Sequence, residues 1–139
     1  MQGSRSIRSI TLAQAKKIAE KAEQRAKAIG VPMVIAVVDV AGDMVLHQRM
    51  EDALHVSIDV SLNKAYTAVA FKIPTDQLAA ETQPGASLYG IQHSDPRVIV
   101  FGGGFPIMEK GKLIGALGIS GGTVVEDMDV GQFALQDIN

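Results

Sequence analysis

The chain of 139 residues contains no cysteine and no tryptophan, and only two tyrosines and four phenylalanines. Without cysteine there can be no disulfide, thiolate nucleophile, cysteine-based zinc site or iron–sulfur cluster. The scarcity of aromatics removes the stacking platforms on which single-stranded nucleic acids are usually read. No excess of one charge appears either. Thirteen basic and fifteen acidic residues are interspersed to a net charge of −2, which argues against a nucleic-acid module with its basic stripe. The longest apolar run, Val31 to Val38, contains Pro32 and is far short of the ~20 residues that span a bilayer. The first residues, Met1 to Arg8, lack the apolar stretch of a secretory signal, so the expected address is cytoplasmic, with no membrane partner.

What is present fits one globular domain that buries about two-thirds of its unfolded-chain surface. Hydrophobic residues make up 47% of the chain and charged residues 20%, which excludes the disordered classes. A flexible N-terminus is expected over residues 1–10 and a single domain over 11–139. Thr11 can cap a helix in which Leu12, Ala15, Ile18, Ala19, Ala22, Ala26 and Ile29 recur at steps of three and four, with Gly30 placed to end it. Two strand-like runs, Met33–Val40 and Met44–Met50, flank the turn Ala41-Gly42-Asp43. A helix is expected over Ser57–Phe71, ended by Pro74, then a short helix over Thr75–Ala80. Three further strand-like runs follow: Arg97–Phe101, Phe105–Glu109 and Lys112–Ser120. Thr123 opens a last helix. The order α-β-β-α-α-β-β-β-α implies an α+β sandwich, with a mainly antiparallel sheet of about five strands and helices on both faces.

Few residues stand out as carriers of chemistry. Gly102-Gly103-Gly104 lies between two strand-like segments rather than before a helix, which favours a bulge or a tight backbone approach, with a ligand packed flat on bare backbone as the alternative. Ser120-Gly121-Gly122-Thr123 does run from a strand into a helix start. Its amides could hold an anion, or form an ordinary capped turn. His47, His55 and His93 are not spaced as a zinc pair, though a heme iron can be held by a single histidine. Asp39, Arg49 and Lys64 are charges among apolar neighbours. They would pair as a buried ion network or form the polar floor of a ligand pocket.

Several segments occurring in order resemble one known family. They are Val38-Asp39-Val40-Ala41-Gly42, Ser57-Ile58-Asp59-Val60, Lys64-Ala65-Tyr66-Thr67-Ala68, Gly102-Gly103-Gly104-Phe105-Pro106-Ile107 and Gly115-Ala116-Leu117-Gly118-Ile119-Ser120-Gly121-Gly122. Together they look like the GlcG/HbpS family of heme-binding-protein-like domains. Asp52-Ala53-Leu54, Gln83-Pro84-Gly85, Leu88-Tyr89-Gly90 and Arg97–Gly102 most resemble its branch of PduO-type C-terminal domains and stand-alone OrfY-type proteins.

The resemblance covers roughly residues 11 to 138. It implies an α-β-α sandwich of profilin-like or roadblock-like type, homo-oligomers and, in some members, bound heme. It implies no adenosyltransferase activity, since that domain is absent. His55 and His93 depart from the usual family residues. Among the histidines His55 is favoured as a heme contact, because Leu54 and Val56 flank it with apolar surface. His93 sits beside Ser94 and Asp95, and His47 beside Gln48 and Arg49. Gly102, Gly103, Gly104, Arg49 and Lys64 complete the expected cofactor contacts. The reading is a non-enzymatic heme- or tetrapyrrole-binding domain for cofactor handling or sensing, linked to glycerol or diol utilisation. The alternatives are a cofactor-free accessory protein of a corrinoid-dependent pathway and a small-molecule enzyme using Lys64, Asp39 and Arg49.

Overall fold

A computed structural model describes residues 3–138. Helix α1 (Leu12–Ile29) starts at a capping box in which Thr11 accepts from the Gln14 amide while the Gln14 side chain accepts from the Thr11 amide. It ends at Gly30, whose φ of 73° suits glycine. A hairpin of β1 (Val34–Asp39) and β2 (Met44–Arg49) follows. Helices α2 (Ser57–Phe71) and α3 (Thr75–Glu81) then lead, through an irregular stretch with one 3-10 turn at Ile91–His93, to β3 (Gly104–Glu109) and β4 (Lys112–Ser120). Helix α4 (Val124–Ala134) closes the fold from a second capping box, Thr123 with Glu126.

The sheet has four antiparallel strands in the order β2-β1-β4-β3, not the five expected. The missing strand is Arg97–Phe101, whose apolar run reads as extended but has no strand partner. Its backbone is committed to α2 instead. The Thr67 hydroxyl donates to the Asn63 carbonyl of its own helix at 2.7 Å and accepts from the Ile99 amide at 2.9 Å, with the Arg97 carbonyl 3.2 Å away, so the segment crosses beside the helix.

The two faces of the sheet follow from strand alternation. Ile35, Val37, Leu117 and Ile119 face α1 and α4 in the larger core cluster. Ala36, Val38 and Ala116 face α2, meeting Ala65, Ala68 and Val69. On this second face the contact is close because the facing residues are small. Ala36, Gly118 and Gly104 stand opposite one another across β1, β4 and β3. A Cβ on Gly118 would collide with the Ser61 carbonyl, and one on Gly104 with the Lys64 carbonyl. The α2 backbone thus rests almost directly on the sheet.

The segment expected to be flexible is seated on the domain over its last residues. Ile10 is buried and its amide donates to the Ile114 carbonyl, Ser9 accepts from the Val40 amide, and Arg8 pairs with Glu109 at 3.0 Å.

Candidate functional site

Lys64 lies in the middle of α2 and is fully buried, together with Asp127 from the first turn of α4. Its Nζ donates to Asp127 Oδ2 at 2.9 Å and to the Ile119 carbonyl at 2.8 Å. The other carboxylate oxygen of Asp127 accepts from the Gly122 amide at 2.9 Å. The Phe101 ring centroid lies 5.2 Å from Nζ. Burial pushes the Lys64 ammonium down from its ordinary value and the Asp127 carboxyl up; each partner's charge only partly offsets the other's loss of water.

The glycine run serves this pair. Gly103 has φ 124°, and a side chain there would meet Lys64 Nζ at 2.5 Å and the Ile119 carbonyl at 2.8 Å. A Cβ on Gly102 would meet Met128 Sδ at 2.6 Å. The run is a tight backbone crossing, and the space in front of it is filled by the chain's own lysine.

The loop Ser120–Thr123 holds carboxylates, but they are its own. Gly122 donates to Asp127 and Thr123 to Glu126, while the Ser120 hydroxyl donates to that of Ser57. The amides expected to hold an anion at 122 and 123 are therefore already engaged.

Asp39, Arg49 and Lys64 do not form an ion network. Asp39 turns inward on the β1–β2 turn and accepts from the Ala41 and Asp43 amides. Arg49 is exposed and stands opposite Val34 at the far end of the same hairpin, about 17 Å away at the usual strand rise. Lys64 pairs instead with Asp127, an acid in the first turn of α4. A buried acid placed one turn after Gly-Gly-Thr was the available signal.

The three histidines sit on different elements. His47 is opposite Ala36 and half-buried, so the pleat turns it toward α2, where Nε2 lies 3.3 Å from Ser61 Oγ. His93 is exposed at the end of the 3-10 turn. His55 is exposed just before α2, between Leu54 and Val56, which are 57% and 63% exposed. The Ser57–Ser120 hydrogen bond fixes this end of α2 to the end of β4, next to the start of α4. Phe101, Val124 and Val125 are exposed around that same end, with Val124 packed over Gly102. Leu54 and Val56 thus form an exposed apolar rim before α2 that carries the His55 imidazole. Among the described residues no group of three or more His, Cys, Asp or Glu is placed to hold a metal ion, and no helix is long and apolar enough to cross a membrane.

A family model described as "Haem degrading protein HbpS-like" matches residues 10–136. The chain is 49% identical over 136 residues to an uncharacterized 15.0 kDa protein of the dhaT-dhaS intergenic region of Citrobacter freundii, covering 97% of this chain and 96% of that one. It is 42% identical over 132 residues to the corrinoid adenosyltransferase PduO of Citrobacter freundii, covering 94% of this chain but only 39% of that enzyme. Among solved structures it resembles the Klebsiella pneumoniae protein ORFY at TM-score 0.94 and 44% identity, covering 97% and 94% of the two chains. The PduOC:heme complex is similar at TM-score 0.91 and 42% identity, covering 94% and 96%.

Proposed function

The chain belongs to the HbpS-like family, and from that premise we propose that it binds heme at the apolar rim before α2. The observation that carries the reading is the exposed imidazole of His55 between exposed Leu54 and Val56. A porphyrin needs an apolar face and its iron an axial donor, and this rim has both. The residues fit the group: His55 would hold the iron, while Leu54 and Val56 would shield one porphyrin face. Bound heme supplies an iron centre whose ligation is visible in its absorbance. The heme complex of a 42% identical relative, superposing over nearly the whole chain, supports heme as the ligand.

Neither Lys64 nor the loop Gly102–Gly104 takes part directly. Lys64 is fully buried and spends its protons on Asp127 and Ile119, so a small-molecule enzyme built on Lys64, Asp39 and Arg49 has little support. The role proposed is handling or sensing of the cofactor, in the cytoplasm, by a homo-oligomer associated with glycerol or diol utilisation. Similarity to one part of a corrinoid adenosyltransferase supports that link, but the proposal leaves out the transferase activity, since the chain spans 39% of that enzyme.

Titration of the purified protein with hemin tests the reading. A saturable, stable Soret band that shifts or broadens in His55→Ala, with the fold retained, is the expected result. A band lost only in His93→Ala or His47→Ala would move the ligand; no band in any form would leave the cofactor-free accessory role. A Soret band that forms and then decays would favour heme turnover, the activity in the family's description.

A further inference from the structure

At the opposite end of α2 lies a groove of about 780 Å³, within the size range of small-molecule sites. Helix α2 has 15 residues and so is about 22 Å long, which separates this groove from His55. Its walls are the N-terminal segment, the turn after β1, the last turn of α2 with the residue following it, and the start of β4. Val69 and Leu113 contribute apolar surface, and Arg5, Arg8, Lys72 and Lys112 converge on it. No acidic residue lines it.

This concentration of charge is unusual for the chain. The groove's ten lining residues include four of the thirteen cations in a protein of net charge −2, where average density would place about one. Arg8 is neutralised by Glu109, which also stands opposite Lys112 across the β3–β4 hairpin. Among the described residues Arg5, Lys72 and Lys112 have no carboxylate partner. Lys72 also caps α2 in the left-handed region, at φ 62°, a conformation that glycine adopts at lower cost. Like charges gathered around an apolar floor repel one another until an anion joins them, and the field they make draws one in.

We propose that this groove binds a soluble organic anion: an apolar body seated on Val69 and Leu113, with carboxylate, phosphate or sulfonate groups held by Lys72, Lys112 and Arg5. Apolar area supplies attraction that salt does not screen, while the cations choose the sign of the ligand. The site is distinct from the heme rim and does not depend on it.

The test is a fluorescence titration of the full chain with 8-anilinonaphthalene-1-sulfonate, an apolar ring system bearing one fixed anion. Saturable binding that weakens as salt is raised is expected. The Lys72→Glu/Lys112→Glu variant should bind about tenfold more weakly or worse, the usual scale for losing a charged contact. Both side chains are exposed, and an unchanged circular dichroism spectrum would certify the fold. Arg49→Glu, an exposed cation at the far end of the β1–β2 hairpin, should bind the probe as the parent does. Equal affinity in the double variant, or equal weakening by Arg49→Glu, would overturn the proposal. So would inorganic phosphate displacing the probe as effectively as an apolar carboxylate of the same charge, because the apolar floor would then contribute nothing.

Discussion

Lys64 Nζ lies 2.9 Å from Asp127 Oδ2 with 1% and 4% of the two side chains exposed, so one ion pair joins α2 to α4 at the C-terminal end of β4. Taking both charges out of water is costly, and the geometry recovers that cost only while both partners are present. Lys64→Met should therefore lose about 3–5 kcal/mol, since it strands a buried carboxylate. Adding Asp127→Asn, which keeps an acceptor for the Gly122 amide, should recover part of that loss. Denaturant unfolding of both single variants and the double variant measures the coupling; strict additivity would show that the pair is not cooperative.

The row of small residues under α2 makes a second prediction. Gly118→Ala places a methyl group on the Ser61 carbonyl, with backbone rather than a flexible side chain in the way. Stability should fall by about 1–3 kcal/mol as the helix is pushed off the sheet. Gly103→Val should cost at least about 1 kcal/mol, because a β-branched residue must adopt φ 124° beside Lys64. An unchanged melting temperature in either variant would contradict the close seating of α2.

A third prediction concerns pH. Tyr66 donates its hydroxyl to Asp95, and Arg97 donates to Asp95 while its guanidinium carbon lies 3.8 Å from the Tyr66 ring centroid. Chiefly through the Arg97 hydrogen bonds, and then that of Tyr66, Asp95 is held well below the usual carboxylate range. Donation to Asp95 is the main cause that raises the Tyr66 hydroxyl above its ordinary value. A depressed acid contributes stability above its unfolded value and loses it as pH falls, below about pH 4 here. A raised phenol contributes stability below its unfolded value and loses it as pH climbs above about 10. The difference in melting temperature between the parent and Tyr66→Phe should hence be largest at neutral pH and shrink at both extremes. A difference independent of pH would mean that the hydroxyl is not coupled to Asp95.

The start of α4 gives a fourth. Val124 is 40% exposed and Val125 77%, two consecutive apolar side chains in the first turn, an arrangement more typical of a contact surface than of a solvated helix start. Light scattering should give a mass that is a multiple of 14.7 kDa. Val125→Glu should lower it. A parent mass of one chain at micromolar concentration would refute self-association through this surface.

Local chemistry made most elements legible. Thr11 with Gln14 and Thr123 with Glu126 build their caps from side chains three residues apart, Gly30 ends α1 by its own backbone freedom, and the 3.6-residue period of α1 shows which face is buried. The exposed apolar neighbours of His55 were also visible, because adjacency in the chain is adjacency in space. Arg97–Phe101 misled for the converse reason. Composition can mark a segment as strand-like, but a strand exists only where another strand offers its hydrogen bonds, and here the Ile99 amide goes to Thr67 of α2.

Legible in the sequence alone were the caps at Thr11 and Thr123, the stop at Gly30, the span of α2, the turn between β1 and β2 and the kinship to a family, since each depends on residues near one another or on order alone. Tertiary structure decided which charges meet. Lys64 found Asp127, 63 residues away, rather than Asp39 or Arg49, because a buried ammonium goes to whichever carboxylate the packing of α2 and α4 delivers within hydrogen-bond reach. It also decided that the cations at positions 5, 8, 72 and 112 share one groove. No spacing rule links residues so distant, and only the closure of the N-terminal segment over the sheet brings them together.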